Sequence, residues 1–120
     1  MTTPAPDPRR SLGASGEAVV ARWYEGHGYE VVARNWRCRE GELDLIVRSG
    51  RTYVFCEVKT RRSDAFGAPA EAVTRDKQMR IRRLAARWLE EGASGPAKDI
   101  RFDVASVRGP RDVEVIEGAF

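Results

Sequence analysis

Histidine and cysteine are scarce in this chain of 120 residues, which has one histidine, His27, and two cysteines, Cys38 and Cys56. No Cys-x-x-Cys occurs and no Cys/His cluster is available to hold zinc, so any bound metal has to be held by carboxylates. Oxygen donors favour a hard ion, Mg²⁺ or Mn²⁺. The two cysteines read as free thiols in a reducing compartment. Long apolar runs are missing too. None approaches the roughly 18 residues that a membrane helix needs, and the N-terminus, MTTPAPDPRRS, lacks the apolar segment of a secretory signal. The expectation is a soluble, cytoplasmic protein with no membrane partner. Internal repeats and an inter-domain linker are also absent.

What is present is an ordinary globular balance, 42% hydrophobic and 32% charged residues, in a length that suits one core around one mixed sheet. Residues 1–11, with Pro4, Pro6 and Pro8 ahead of Arg9 and Arg10, read as a disordered tail. Residues 12–120 are left as a single domain. The net charge of +3 suits a polyanionic partner, but how the charge is distributed matters more than its total.

Hydrophobic periodicity predicts the elements. From Gly13 to about His27, Val20, Trp23, Tyr24 and His27 recur at helical spacing, and Gly26 and Gly28 end the helix. Residues 30–37, 42–48 and 51–60 have strand character, and Ser49-Gly50 is a hairpin signal between the last two. A polar loop over 61–68 precedes a long helix that starts near Pro69 or Thr74. It runs to Glu91, is stopped by Gly92 and has Ile81, Leu84, Ala85, Trp88 and Leu89 on its apolar face. Two short strands follow, 100–107 and 113–117, joined at Gly109-Pro110. The order α-β-β-β-α-β-β places two helices against a mixed sheet, an α/β or α+β sandwich.

The stretches with chemical content are Gly41-Glu42-Leu43-Asp44-Leu45-Ile46 and Glu57-Val58-Lys59. Side chains alternate along a strand, so Glu57 and Lys59 share a face, as do Glu42 and Asp44. A turn at Ser49-Gly50 sets Asp44 diagonal to Glu57, whereas a turn at Gly50-Arg51 sets the two directly opposite. Either register brings the carboxylates within roughly 4.5–8 Å of each other. The opposite face, with Leu43, Leu45, Val47, Val54, Cys56 and Val58, is expected to be core. Carboxylates this close repel unless a proton or cation lies between them. A divalent ion there can polarise a phosphate oxygen and acidify a bound water, and Lys59 can steady the charge that builds on phosphorus. An exposed amphipathic strand would show the same alternation. Two helices that cover the sheet argue against that, as does Glu17, which falls on the apolar side of the first helix. A carboxylate there is costly unless paired or metal-bound, although a favourable contact with the helix N-terminus is the simpler alternative.

Taken together, several segments resemble the YraN-type family of bacterial proteins over roughly residues 12–120. They are Gly16-Glu17, Ala33-Arg34-Asn35-Trp36-Arg37, Gly41-Glu42-Leu43-Asp44-Leu45-Ile46 and Phe55-Cys56-Glu57-Val58-Lys59-Thr60-Arg61, then residues 67–73, Lys77-Gln78, Arg101-Phe102-Asp103-Val104 and Ala119-Phe120. The resemblance implies a restriction-endonuclease-like α/β fold of the PD-(D/E)xK kind, similar to archaeal Holliday-junction resolvases. On that pattern Asp44 is the aspartate, Glu57 and Lys59 form the ExK pair, and Glu17 is the helix carboxylate. Leu43 stands where the pattern has proline.

The long helix carries Arg80, Arg83 and Arg87 on one stripe, suited either to phosphate or to plain solvation. Lys77 and Gln78 point inward near its start, where they can meet a scissile phosphate or orient Lys59. Arg61 and Arg62 lead into the following loop as further phosphate contacts. Phe66 suits either stacking on a base or packing under its own loop. Asp103, out of phase with Phe102 and Val104, is expected at the surface or behind the site. The expected activity is Mg²⁺- or Mn²⁺-dependent hydrolysis of DNA, with structure rather than sequence recognised, for example at branched DNA. A homodimer would suit two-strand cleavage. The alternatives are a nuclease fold that binds nucleic acid without cutting, and a protein-interaction domain.

Overall fold

The computed structural model describes residues 8–61, 73–92 and 99–120; within it, residues 8–15 and 92 are described as backbone only. Its elements are α1 (Pro8–Gly26), β1 (Glu30–Cys38), β2 (Gly41–Ser49), β3 (Thr52–Thr60), α2 (Arg75–Gly92), β4 (Asp99–Gly109) and β5 (Asp112–Ile116). This is the mixed α/β order expected from the sequence. Helix α1 begins at Pro8, ahead of its first apolar turn, because proline is well tolerated in a first helical turn. The other boundaries move by a residue or two, and the β4–β5 turn falls on Pro110-Arg111, one residue beyond Gly109-Pro110.

The five strands form one sheet in the order β1-β2-β3-β4-β5. Strands β1, β2 and β3 are joined antiparallel, β3 and β4 are parallel, and β5 returns antiparallel on β4. The parallel pair requires a crossover, which α2 supplies. Each helix covers one face. Val20, Ala21 and Tyr24 of α1 pack on Leu45, Val47, Val54, Cys56, Ala105 and Val107. Ile81, Leu84, Ala85 and Trp88 of α2 pack on Leu43, Ile46, Tyr53, Phe55, Phe102 and Val104. Among the described residues no helix is long and apolar enough to cross a membrane.

Two expectations about the faces change. Leu43 joins the α2 layer, whereas Leu45 and Val47 join the α1 layer. The alternation slips at Asp44, so the sheet face read as uniformly apolar is not continuous there. Of the two places expected for Asp103, the surface is excluded, because its side chain is fully buried. Its carboxylate accepts hydrogen bonds from the Tyr24 hydroxyl (2.5 Å), from Nε (2.9 Å) and Nη2 (3.0 Å) of Arg101, and from the Gly118 amide (3.0 Å). Four donors make a buried charge tolerable. They also tie α1, β4 and the C-terminal turn together.

Helix α1 lies close against β3 at Gly16, where an added Cβ would collide with Oγ1 of Thr60. Alanine is worth up to about 1 kcal/mol over glycine inside a helix, but overpacking costs about 1–3 kcal/mol. Gly16→Ala should therefore destabilise the wild-type background and stabilise a Thr60→Ala background. Urea denaturation of the four proteins reads this sign reversal directly.

Candidate metal centre

The hairpin fixes the first two carboxylates. Ser49 pairs with Thr52 and Leu45 with Cys56, so the turn is Gly50-Arg51, and the next position along sets Asp44 against Glu57. Gly50, at φ +61°, occupies the first turn position, where a type II′ hairpin needs a positive φ. At Asp44 the ladder gives way to a side chain, and the Val58 amide donates to Asp44 Oδ2 at 2.9 Å. On the other flank, Arg34 pairs with Leu45 and Trp36 with Leu43. Asn35 between them is left-handed (φ +52°), a conformation that asparagine tolerates better than most residues. Its side chain hydrogen-bonds Glu17.

Helix α1 therefore delivers Glu17 to the place where β2 is distorted. One carboxylate oxygen each from Glu17, Glu42 and Asp44 lies within 4.8 Å of the other two. Glu57 is a further neighbour of Asp44, close enough for the two carboxyls to interact. The Glu57 side chain is only 10% exposed, and its Oε1 is shared by two ammonium groups, Lys77 Nζ at 2.7 Å and Lys59 Nζ at 3.4 Å. The structure thus unites Glu17, Asp44, Glu57, Lys59 and Lys77. The row of Tyr53 and Phe55 that leads to Glu57 is buried under α2, so this is not a solvated strand face.

The electrostatics are those of a crowded anionic pocket. Burial, and then the Glu57 charge, push the Asp44 carboxyl up to about 7 against the pull of the Val58 amide. Glu17 is also raised, chiefly by burial and further by Glu42, while its bond to Asn35 works the other way. Burial and the neighbouring Lys77 lower Lys59. Burial acts to lower Lys77 as well, but its hydrogen bond to Glu57 prevails and leaves it raised. Glu17, 6% exposed, keeps one oxygen, Oε2, buried without a hydrogen-bond partner. A buried carboxylate oxygen in that state is costly. The oxygen-only donor set, with an orphan oxygen among clustered carboxylates, fits a hard divalent cation.

In the metal-free protein Asp44 should show a defined pH signature. Its folded value, about 7, lies above its ordinary value of 3.8. The folded state therefore holds a proton that the unfolded state has released, and stability falls as pH rises between those values. Asp44→Asn keeps an acceptor for Val58 and removes the charge. In chelator it should melt above wild type at pH 8 and close to it at pH 5, as read by thermal denaturation.

The remaining expected contacts are placed as follows. Gln78 turns away from the carboxylates, its Nε2 donating to the Val73 carbonyl at 3.2 Å. Thr74 caps α2, its Oγ1 accepting from the Lys77 amide at 3.3 Å. Arg80 and Arg83 are exposed. Arg87 is held by Glu40 (2.9 Å) and Glu91 (3.2 Å). Arg61 is half-buried, its amide donating to the Val107 carbonyl at 2.7 Å. Arg62 and Phe66 lie outside the described residues. Sequence reasoning missed Glu42 as a member of the carboxylate cluster, although its spacing of two from Asp44 was the available signal. It also missed Asn35, for which periodicity carries no signal, and Ser106, whose hydroxyl is buried without a partner on the strand position beside Lys59.

The same residues fall within a recognised family. The model of the uncharacterised protein family UPF0102 matches residues 16–107, which include every carboxylate and lysine of the centre. A UPF0102 protein of Beutenbergia cavernae is 60% identical over 97 residues, covering 81% of each chain. One from Nocardia farcinica is 60% identical over 99 residues, 82% of this chain and 77% of the relative. The similar protein SCO5602 of Streptomyces coelicolor is 46% identical over 113 residues, 92% of this chain and 87% of its own. With its fold, its carboxylate centre and these relatives taken together, the chain belongs to the uncharacterised protein family UPF0102.

Proposed function

We propose that the protein is a metal-dependent nuclease of the PD-(D/E)xK kind that hydrolyses phosphodiester bonds in DNA, with branched or otherwise structured DNA as the favoured substrate. The observation that carries this reading is the meeting of Glu17 of α1 with Glu42 and Asp44 of β2, with an unsatisfied Glu17 oxygen inside, Glu57 of β3 beside Asp44 and Lys59 paired with Glu57. Glu17, Glu42 and Asp44 would hold Mg²⁺ or Mn²⁺, with Glu57 beside them. Such an ion supplies charge for a phosphoryl oxygen and lowers the pKa of a bound water.

The chain's own residues do the rest. The Val58 amide fixes the Asp44 carboxylate, and Asn35 orients Glu17. Lys59, its pKa lowered by burial and by Lys77, is suited to hydrogen-bond the attacking water and to stabilise charge that develops on phosphorus. Lys77, brought in by α2, neutralises Glu57 and is within reach of a substrate phosphate. One observation favours a non-cutting module instead. The 2.7 Å Lys77–Glu57 pair already provides Glu57 with a counter-charge.

A cleavage panel of junction, flap, nicked and single-stranded substrates with Mg²⁺ or Mn²⁺ tests the proposal. Wild type should cut at least one substrate, and Asp44→Asn should not. Binding without cleavage across the panel would leave the module reading in front.

A further inference from the structure

The carboxylates of the centre are not all in the same situation. Glu17, Glu42 and Asp44 each offer an oxygen within 4.8 Å of the other two, and Glu17 has a buried oxygen without a hydrogen-bond partner. Glu57 is not one of these three. Its Oε1 receives Lys77 Nζ at 2.7 Å, whereas Lys59 Nζ stays at 3.4 Å. The shorter contact has the length of a full charge-assisted hydrogen bond. It is made to a side chain that is only 10% exposed, where water screens little.

Lys77 is placed there by the fold. It lies in the first turn of α2, where Thr74 Oγ1 accepts from its amide at 3.3 Å. Glu17 arrives on α1, which covers the other face of the sheet. The three-carboxylate cluster and the Lys77–Glu57 pair are therefore supplied by different helices.

Charge decides how many further cations the centre can hold. With all four ionised, the carboxylates of Glu17, Glu42, Asp44 and Glu57 face two ammonium groups, which leaves two negative charges. One divalent ion cancels them. A second would have to displace Lys77 from Glu57 or stand beside it as a like charge. Arg37 also reaches Glu42, at 3.2 Å, but it is 58% exposed and contributes little.

We infer that the Lys77 ammonium is a built-in second cation: the centre takes a single divalent ion on Glu17, Glu42 and Asp44, and Lys77, held by Glu57, does the work of another. The use of this arrangement rests on the nuclease reading, but its test does not. In two-ion phosphodiester hydrolysis, one positive charge serves the attacking oxygen and the other the leaving oxygen. Lys77 provides the second of these as a fixed ammonium, which leaves Lys59 for the attacking water. The Lys77–Glu57 pair then belongs to a cutting site instead of replacing one.

The test counts the Mn²⁺ ions bound per chain, from the paramagnetic resonance signal of the free ion. The variants are Lys77→Met, the more polar Lys77→Gln, Lys77→Arg, and Lys77→Met combined with Glu57→Gln. Circular dichroism melts confirm that each is folded. Wild type should bind one ion, and Lys77→Met and Lys77→Gln two. Lys77→Arg should remain at one, because a guanidinium is always charged. Adding Glu57→Gln to Lys77→Met should return the count to one, since the freed Glu57 carboxylate is what admits the second ion. Two ions in wild type, or one in both neutral Lys77 variants, overturns the assignment and leaves the nuclease reading standing. Failure of wild type to bind any manganese overturns both.

Discussion

Lys59→Ala is expected to cut DNA about 10²–10³-fold more slowly than wild type in single-turnover assays, with little change in metal or DNA affinity. While protonated, the Lys59 ammonium cannot ligate a metal, and in the structure it lies 3.4 Å from Glu57 Oε1 at the edge of the carboxylate cluster. Its contribution must fall on the attacking water or on the charge that appears at phosphorus. Both are effects on the transition state rather than on binding. Lys59→Arg should not restore the rate, because the guanidinium is planar and larger than an ammonium and Lys77 already crowds the same oxygen. Glu57 retains Lys77 when Lys59 is lost, so the fold should survive. Equal rates for wild type and both variants would reduce Lys59 to a partner of Glu57 and nothing more.

The second large effect is on stability. Asp103→Ala should cost about 3–5 kcal/mol, the usual penalty for breaking a buried charge pair from one side. The carboxylate is fully buried and accepts from Tyr24, Arg101 and Gly118. Its loss leaves the Tyr24 hydroxyl buried with no strong acceptor. Arg101 is about a quarter exposed and hydrogen-bonds Tyr29 at 3.1 Å, so part of the penalty relaxes into solvent. Tyr24→Phe removes one donor only and should cost about 1 kcal/mol. Urea denaturation of the two variants distinguishes a network centred on Asp103 from a set of separate bonds. A loss at Asp103 no larger than that at Tyr24 would rule the network out.

The order of elements was legible in the sequence because helical and alternating patterns differ in period, and the closeness of Asp44 and Glu57 followed from a short turn in either of its two registers, of which the structure has the one at Gly50-Arg51. The misreadings have specific causes. Alternation leaves Asp103 either at the surface or behind the site, because it shows only that the side chain faces away from Phe102 and Val104. Strand β4 lies within a sheet covered on both sides, so both of its faces are interior. The partner that makes its burial tolerable, Tyr24, is 79 residues away in the chain. Unbroken alternation puts Leu43 with Leu45, whereas Asp44 exchanges a backbone ladder bond for a side-chain bond to Val58. That exchange brings Asp44 within reach of both Glu17 and Glu57, so the local departure from strand regularity is what assembles the centre. The arginine stripe of α2 was legible as a stripe, but the pairing of Arg87 with Glu40 depends on how the helix sits over β1 and β2.

The central claim is that a helix carboxylate and the hairpin carboxylates share one divalent ion. Anomalous diffraction from crystals grown with Mn²⁺ tests it most directly. The predicted result is a manganese peak in contact with Glu17 and Asp44, lost in Asp44→Asn. A peak elsewhere on the protein, or one unchanged in Asp44→Asn, would contradict the account.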